Sequence, residues 1–391
     1  MAQGENVPQL RFFGFTDAWE QREFEKFADF NPPSCVPDAF QYVDLESVVG
    51  TEMVACRPEL RKTAPSRAQR LAQIGDLFYQ MVRPYQKNNY LFEIQSEAYV
   101  FSTGYAQIRP KCDGYFLLGL VQTDSFVKDV MDRCTGTSYP AINSKDLAKI
   151  NICVPKGQTP SKIKNITEQQ KIGTFFRNLD RLITLHQRKQ DVLTMAKKAL
   201  LEKMFPQVDE KTPQVRFSGF TDAWEQRKLG DEATEIIAGG DADKSLLSEK
   251  GKYPVIANAL TNEGIVGFYK NEYRVKAPAV TITGRGDIGH AKARLLNFTP
   301  VVRLLSLKSP HNVFFLENAI NTIQIIIEST GVPQLTVPQL SQYNLSFPHQ
   351  SLEEEKIGTF FRNLDDLITL HRRKVVKLKK LKKACLEKMF V

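Results

Sequence analysis

The sequence predicts an α+β protein with two similar units in tandem, each a globular domain followed by a long helix. Three observations support this fold class. The chain of 391 residues exceeds the size of one ordinary hydrophobic core. Two blocks of sequence each occur twice, and the second block continues in both copies as a heptad pattern of apolar residues. We expect the two helices to pair as an antiparallel coiled coil with pseudo-two-fold symmetry.

A duplicated frame encloses two dissimilar interiors. Residues 8–22 recur as 213–227, and residues 171–180 recur as 356–365. The offset falls from 205 to 185 between the two blocks, so the second interior is 20 residues shorter. Both interiors mix short β-branched or aromatic runs with turn residues, as α+β domains do. The predicted segments are a first globular domain at 1–160, a first long helix at 161–206, a second globular domain at 207–350 and a second long helix at 351–391.

Capping signals and heptads delimit the two long helices. Thr167 with Gln170, and Ser351 with Glu354, have the spacing of a capping box, and Pro206 ends the first helix. Each helix is expected to contain ~38 residues and to be roughly 55 Å long. The apolar residues predicted to pair the helices are Ile172, Phe175, Leu179, Leu182, Leu193, Leu200, Ile357, Phe360, Leu364, Leu367, Leu378 and Leu381.

Both heptads are interrupted at the same place by polar residues, 186–189 in the first helix and 371–374 in the second. Two explanations remain open. A polar layer could fix the register of the pair, or long side chains could extend to solvent from a loosely packed middle. Because two equal units pair most simply about a two-fold axis, the globular domains are expected at opposite ends of the helices.

The distribution of charge restricts the kind of partner. A net charge of +9 suggests a polyanionic partner. The positive excess lies in the two helix segments, whereas the globular segments are neutral or slightly acidic. No apolar run approaches the ~20 residues of a membrane span. The six cysteines and five histidines show no metal or triad spacing, which favours a cytoplasmic protein with reduced thiols and no metal.

Polar loops of the globular domains are the candidate nucleic-acid contacts. A strand within residues 76–88 leads into a polar loop, and residues 135–139 form a turn that presents hydroxyl groups. In the second domain, a strand at 280–283 continues into a glycine-rich loop at 284–289. Such side chains contact base edges and phosphates, although ordinary surface turns have the same composition. The candidates are Arg83, Tyr85, Lys87, Asn88, Arg109, Lys111, Thr137, Ser138, Asn258, Arg285, Lys292 and Arg294.

Two motifs resemble those of enzymes. Gly284, Gly286 and Gly289 have the spacing of a dinucleotide-binding fingerprint, but no βαβ unit surrounds them. Asn31-Pro32-Pro33 resembles a motif of adenine methyltransferases, in which an aromatic residue follows to stack on the flipped base. Serine occupies that place here, so this segment is interpreted as a turn.

Four residues of the frame have expected structural roles. The repeated Trp19 and Trp224 are predicted to anchor each domain to its helix as core residues. Gly173 and Gly358 each cost a helix up to ~1 kcal/mol relative to alanine. Their recurrence therefore indicates a close approach of the helix backbone to another helix.

The frame as a whole resembles the specificity subunit of type I restriction–modification systems. Each unit begins with Pro-x-Leu/Val-Arg-Phe-x-Gly-Phe-x-x-x-Trp and ends with Lys-Ile-Gly-x-Phe-Phe-x-x-Leu-Asp-x-Leu-Ile-x-Leu-His and Leu-Glu-x-Met-Phe. The resemblance covers essentially the whole chain. It implies that each interior is a target-recognition domain for one half of a bipartite, asymmetric DNA site. The helices would set the spacer between the halves, at ~3.4 Å per base pair.

The resemblance also implies partners and cofactors. Two methyltransferase subunits would bind S-adenosylmethionine and methylate adenine at N6, and a motor endonuclease subunit would use ATP and Mg²⁺. This chain would bind double-stranded DNA and hold no catalytic site or cofactor of its own. Two alternatives are a stand-alone N6-adenine methyltransferase, suggested by residues 31–33, and a coiled-coil scaffold that does not bind DNA, suggested by the lack of net positive charge on the globular domains.

Overall fold

The computed structural model describes residues 6–156, 167–207, 209–326 and 333–391, which form two compact units. The first unit comprises the described residues up to His186 together with Lys374–Val391, and the second comprises Gln187–Arg373. The predicted boundary between residues 160 and 161 lies outside the described residues. Each unit contains one part of each long helix. The units therefore differ from the four predicted segments, in which each long helix is a single undivided segment.

The first unit combines twelve strands with three helices that precede the first long helix. Its strands are β1 (Trp19–Glu23), β2 (Ala28–Phe30), β3 (Ala39–Val43), β4 (Val48–Val49), β5 (Glu52–Met53), β6 (Arg57–Leu60), β7 (Ala68–Leu71), β8 (Leu77–Gln80), β9 (Tyr90–Leu91), β10 (Tyr99–Ser102), β11 (Tyr105–Pro110) and β12 (Asn151–Pro155). Its helices are α1 (Gly114–Val121), α2 (Asp124–Met131) and α3 (Ser144–Ala148), with 3₁₀ turns at Phe24–Lys26 and Pro84–Gln86.

Two four-stranded sheets form the centre of the first unit. The antiparallel sheet has the strand order β2-β11-β8-β9, and the mixed sheet has the order β6-β3-β10-β7. Strands β1 and β12 pair antiparallel, with Trp19 opposite Pro155. The two ends of the interior are therefore hydrogen-bonded to each other.

The described residues of the second unit form nine strands and two short helices. Its strands are β13 (Glu225–Lys228), β14 (Glu235–Ala238), β15 (Tyr253–Ile256), β16 (Ile265–Tyr269), β17 (Ala279–Ile282), β18 (Ala291–Arg294), β19 (Thr299–Pro300), β20 (Leu305–Lys308) and β21 (Asn344–Phe347). Its short helices are α5 (Val313–Asn321) and α6 (Val337–Gln342), with a 3₁₀ turn at Thr261–Gly264.

Each interior contains an antiparallel sheet of its own, and the two sheets have the same strand arrangement although the sequences are dissimilar. The second unit has an antiparallel sheet of order β14-β20-β17-β18, which matches β2-β11-β8-β9 strand for strand. Strands β13 and β21 pair as β1 and β12 do. The other sheet differs, because the second unit has only three strands there, in the order β16-β15-β19. The predicted α+β tandem is confirmed, and the duplication includes the central sheet.

The long helices have the predicted lengths. Helix α4 (Glu168–Met204) has 37 residues and α7 (Ser351–Met389) has 39. The capping box of α4 is confirmed, since Thr167 N–H donates to Gln170 Oε1 and Gln170 N–H donates to Thr167 Oγ1. The capping box predicted for α7 is wrong. The Glu354 carboxylate instead contacts His311 and Asn312, because it is buried against the globular domain.

Within each unit, the two long helices run antiparallel. In the first unit, Lys382 Nζ lies 2.6 Å from Asp180 Oδ1, and the Phe176 and Phe390 ring centroids are 5.9 Å apart. In the second unit, the repeat-related pair Lys197 and Asp365 is 2.7 Å apart. The rings of Phe205 and Phe361 lie 6.1 Å apart, as the repeat requires. The antiparallel arrangement predicted from the duplication is confirmed inside each unit.

The row of buried residues along each long helix differs in part from the row that was predicted to pair the helices. Leu182, Leu367 and Leu381 are 44%, 46% and 47% exposed, while Phe176 and Phe361 are buried. The prediction for these three leucines is wrong because each helix also packs on a globular domain, which widens its apolar face beyond a coiled-coil seam. Of the other predicted residues, Ile172, Leu179, Ile357 and Leu364 are buried, and Phe175, Leu193, Leu200, Phe360 and Leu378 are partly buried.

A buried ion pair connects each introductory block to the start of its helix. Arg11 donates two hydrogen bonds of 2.8 Å to Glu168, and Trp19 Nε1 donates a third, of 3.1 Å. The second copy has the same pair, with Arg216 at 2.6 and 2.8 Å from the two carboxylate oxygens of Glu353. Both tryptophans are 3% exposed, so their predicted role as core anchors is confirmed.

The repeated helix glycines allow close approach to a cap of the globular domain. A Cβ on Gly173 would lie 1.9 Å from Asp113 Oδ1, which caps α1 by accepting from Phe116 N–H. A Cβ on Gly358 would lie 2.3 Å from Asn312 Oδ1, the cap of α5. The predicted close approach to another helix is confirmed, and the contact is with its N-terminus.

The second unit is expected to lose stability as the pH rises through the raised pKa of His311. Its Nδ1 and Nε2 each lie 2.8 Å from a carboxylate oxygen, of Glu354 and Glu232 respectively. These hydrogen bonds, first that to Glu354, raise the pKa of His311. The stabilisation is complete below the unfolded pKa of ~6.5 and disappears as the pH rises through the higher folded value. Unfolding monitored by Trp224 fluorescence should show this slope, and His311→Gln should remove it. An equal slope in the variant would contradict this assignment.

Candidate nucleic-acid interface

The two loops selected from the sequence occupy equivalent places in the two units. Residues 81–89 connect β8 to β9, and residues 283–290 connect β17 to β18. In each unit, a second segment is hydrogen-bonded to this loop. It precedes the last short helix, at 135–141 before α3 and at 333–336 before α6. We call these paired segments the recognition loops of the first and second unit.

In the first unit, backbone pairing holds the two segments together. Arg83 N–H donates to Pro140 O at 2.8 Å, and Val82 forms an isolated bridge with Ala141. The Arg83 guanidinium lies 4.3 Å from the centre of the Tyr139 ring. Thr137 and Ser138 are exposed beside it, and Tyr85 is 49% exposed. The structure therefore brings together an arginine, two aromatic rings and two hydroxyl groups on one surface.

The second unit repeats this arrangement with different side chains. Leu335 N–H donates to Gly284 O at 2.9 Å, and Gly284 N–H donates to Asn258 Oδ1 at 2.8 Å. Arg285 donates from Nη2 and Nε to Gln334 Oε1 at 2.8 and 3.1 Å. The pair of Arg285 and Gln334 thus occupies the place that Arg83 and Tyr139 occupy in the first unit.

Backbone strain marks the same edge of both units. Arg83 and Lys87 have φ values of 53° and 56° in the first loop, and Val302 and Arg303 have 53° and 66° in the turn beside Gly284. Non-glycine residues rarely adopt this conformation, and a β-branched one is an outlier. Such strain is retained mainly at functional sites, where the surrounding structure holds it. In the first unit the strained residues lie in the recognition loop itself, whereas in the second they lie in the β19–β20 turn that packs against Gly284.

The glycine fingerprint has a structural explanation. A Cβ on Gly284 would lie 2.5 Å from Arg303 O, and one on Gly289 would lie 2.7 Å from the Ile325 side chain. The loop returns into the antiparallel strand β18, whereas a dinucleotide site requires a helix at this point. Gly284 and Gly289 are therefore needed for close packing of the loop, and Gly286 for its φ of 72°.

The Asn31-Pro32-Pro33 segment forms the turn that was expected. Asn31 has a φ of 47° and follows β2. Its N–H donates to Gln107 O at 2.7 Å, and its Oδ1 accepts from Gln107 N–H at 3.0 Å. Because both groups are engaged by the sheet, this asparagine holds the chain against β11.

Several basic candidates have carboxylate partners within their own unit. Arg109 donates to Asp76 at 2.8 and 3.0 Å, and Lys111 lies 2.6 Å from Asp29. Lys87 binds Asp124, and Lys292 lies 3.2 Å from Glu317. Arg294 is 11% exposed in its side chain, donates to Thr281 Oγ1 at 3.0 Å, and has a pKa lowered by burial. A DNA contact by these five residues stays a prediction.

The two asparagine candidates are also occupied. Asn88 Oδ1 accepts from Gly50 N–H at 2.8 Å, and Asn258 bonds to Gly284 N–H and to Val302 O. They brace loops from below, so a base contact by either side chain would require a change of partner.

Three residues of this edge were missed in the sequence. Tyr139 is 64% exposed and stacks with Arg83, Gln334 binds Arg285, and Arg303 is exposed on the strained turn. Only contacts between distant segments bring them to the loops. Within the described ranges, no group of histidine, cysteine or acidic side chains could hold a metal ion. In the same ranges, none of the helices combines the length and the apolar character that crossing a membrane requires.

Curated relatives are named as specificity subunits. A protein of Mycoplasma pneumoniae named as a type I specificity subunit is 25% identical over 57% of this chain and 57% of its own length. Specificity subunits of type I restriction enzymes are 24% identical in Haemophilus influenzae, over 48% of this chain and 39% of the relative, and 24% identical in Methanocaldococcus jannaschii, over 69% and 68%. The match thus spans only about half the length of the first two relatives.

A solved structure shares the fold over nearly the whole chain. The S subunit of a type I restriction–modification system from M. genitalium aligns over 98% of this chain and 99% of its own, with a TM-score of 0.71 and 13% identity. The family model described as "Type I restriction modification DNA specificity domain" matches residues 64–195 and 221–380, each including one recognition loop and most of one long helix. The chain therefore belongs to the type I restriction modification DNA specificity family.

Proposed function

We propose that this chain recognises the two halves of a bipartite DNA site, one with each unit, as the specificity subunit of a type I restriction–modification complex. The observation that carries the proposal is the equivalence of the two recognition loops. Each loop connects the corresponding two strands of the corresponding sheet in its own unit, yet the two loops present different side chains. An asymmetric site, with two different half-sites, is what such a pair would recognise.

The chemistry of the loops fits recognition of base edges. Arginine can donate two hydrogen bonds to guanine, and exposed hydroxyl and amide groups can donate or accept. The partly exposed Arg83 and the exposed Tyr85 and Tyr139 of the first unit, and Arg285 with Gln334 of the second, supply these groups. Most other basic candidates are neutralised by neighbouring carboxylates, so a small set of loop residues would determine the sequence.

The same proposal covers the partners. Two methyltransferase subunits would hold S-adenosylmethionine and methylate adenine, a motor endonuclease subunit would use ATP and Mg²⁺, and this chain would have no catalytic role. The stand-alone methyltransferase gains no support, because the amide oxygen of Asn31 is hydrogen-bonded to the sheet. Mapping methylated adenines across the genome, with and without this gene, tests the proposal. Loss of a bipartite methylated motif supports it, and an unchanged methylation pattern contradicts it.

Loop variants should alter one half-site at a time. Replacing Arg83 by alanine should weaken recognition of one half, and Arg285→Ala should weaken the other. Loss of a bidentate base contact costs about 1–3 kcal/mol, which corresponds to a loss of roughly 5- to 150-fold in affinity. The measurement is binding of the assembled complex to duplexes that carry single substitutions in each half-site.

The repeat supplies matched controls for these variants. Arg22 and Arg227 are equivalent arginines on β1 and β13, paired with Glu20 and Glu225, and Arg227 is also paired with Glu232. Their alanine variants should bind as the unmodified chain does. If Arg83→Ala and Arg285→Ala affected the same half-site, or neither, the assignment of one unit to each half would be wrong.

A further inference from the structure

A second basic surface lies beside the recognition loop of the first unit. The connection between β6 and β7 has the sequence Arg61-Lys62-Thr-Ala-Pro-Ser-Arg67 and continues to Arg70 in β7. It contains four cations and no acidic residue, although the globular segment around it is slightly acidic. Such a local concentration of positive charge is the electrostatic feature expected where a polyanion binds.

These four cations differ from the basic candidates chosen from the sequence. Arg109, Lys111 and Lys87 have carboxylate partners. By contrast, among the residues that the structure describes, Arg61, Lys62, Arg67 and Arg70 form no salt bridge. Their charges therefore remain available to a ligand.

Arg70 shows this most directly. Its side chain is half-buried, and its Nε atom is buried without a hydrogen-bond partner among the described residues. Burial lowers the pKa of its guanidinium, and no nearby carboxylate opposes this. A buried donor without a partner is unfavourable, and a bound acceptor would remove that cost. An anion is the acceptor that suits a cationic donor.

A groove of about 590 Å³ gives such an anion access. Arg61 and Arg70 line one side of it, and the Asn31-Pro32-Pro33-Ser34 turn lines the other. The hydroxyl groups of Ser34 and Ser66 also line the groove, and both residues are exposed. Guanidinium and hydroxyl donors around an open groove fit one or two oxygens of a phosphate group.

Backbone hydrogen bonds connect the wall of the groove to the recognition loop through the turn at 103–104. Thr103 N–H donates to Arg67 O at 2.8 Å, and Met81 N–H donates to Gly104 O at 2.9 Å. The turn at 103–104 is thus hydrogen-bonded to the basic connection on one side and to the start of the loop on the other. The Asn31 turn reaches the same end of the unit because it is bonded to Gln107.

We infer that this groove binds phosphates of the DNA backbone adjacent to the half-site contacted by the first unit. The inference rests on the proposed function and adds to it a contact that is independent of sequence. Arg61 and Arg70 position the duplex, and the recognition loop selects the bases. A phosphodiester of DNA and a free phosphate offer the same oxygens, and the experiment below distinguishes binding of the two.

The test is the salt dependence of DNA binding by the assembled complex. Each lost phosphate contact lowers the slope of log affinity against log salt by about 0.9. Arg61→Gln and Arg70→Gln should each reduce the slope by about 1 and weaken binding to cognate and unrelated duplexes by the same factor. The methylated sequence should stay the same. Because Arg61 is exposed, its variant tests the contact without disturbing the core.

The control is Arg57→Gln, an exposed arginine on β6 that is paired with Asp44 and Glu59. It should leave the slope unchanged. An unchanged slope in both groove variants would overturn the inference, and so would a changed methylation motif, which would indicate a base contact. Titration of inorganic phosphate distinguishes the two sources, because its binding in the groove together with an unchanged DNA slope would identify a free-anion site. If the unmodified complex did not prefer its cognate duplex, the proposed function would fail instead.

Discussion

Replacing Arg216 by leucine should destabilise the second unit by about 3–5 kcal/mol, since it leaves a buried carboxylate without its partner. Glu353 is 0% exposed, and both of its oxygens accept from Arg216 at 2.6 and 2.8 Å. Leucine cannot donate, and water has little access to the carboxylate. The loss should appear as a lower midpoint of urea unfolding for this unit.

The two tryptophans permit each unit to be followed separately. The chain contains only Trp19 and Trp224, one in each unit. In a Trp19→Phe background, fluorescence therefore reports on the second unit alone. The matched control is Arg227→Leu, which removes two partly exposed ion pairs, with Glu225 and with Glu232, each worth at most ~1 kcal/mol. Equal losses in the two leucine variants would show that burial of the Arg216 pair has no special effect.

Replacing Gly173 by alanine should destabilise the first unit by about 1–3 kcal/mol, even though alanine is the better helix former. The added methyl group would lie 1.9 Å from Asp113 Oδ1 and 3.0 Å from Phe116 N. Either the helix must move away from α1, or Asp113 must give up its cap, which is worth ~1 kcal/mol. A Trp224→Phe background reports on this unit through Trp19.

The neighbouring residue gives the control for this variant. Thr174 is exposed one position further along the same helix, so Thr174→Ala should be neutral or slightly stabilising. If Gly173→Ala stabilised the unit as much as Thr174→Ala, the helix and the cap would not be in close contact. The double variant Gly173→Ala with Asp113→Ala tests the pair further. Relief of the clash should make its cost smaller than the sum of the single costs.

Local and repeated signals were sufficient to predict the frame. The duplicated blocks indicated two units, the heptads indicated the helices, and the recurrence of Gly173 and Gly358 indicated a close contact. Each of these signals depends on residues near one another in sequence or on comparison of the two copies. The loops at 81–89 and 283–290 were also found, because a strand followed by a polar turn is a local pattern.

The partners of individual side chains could not be predicted in this way. Asp76 lies 33 residues from Arg109, and Glu263 lies 31 residues from Arg294, so nothing local shows that they meet. The same applies to Tyr139 beside Arg83, which depends on the pairing of two distant segments. The seam of the helices was displaced because the heptad pattern cannot show that a globular domain packs on the adjacent face.

The pairing of β1 with β12, and of β13 with β21, has a consequence for evolution. In each unit, the first and the last strand of the interior pair with each other in a short antiparallel ladder. These two strands lie near the shared blocks of sequence. A genetic crossover within those blocks would exchange a whole interior together with its last strand and the glutamate that follows it. Because both interiors end in an equivalent strand and glutamate, the incoming interior would form the same ladder and the same ion pair. Whole interiors could therefore be exchanged by recombination without an intermediate in which the protein fails to fold.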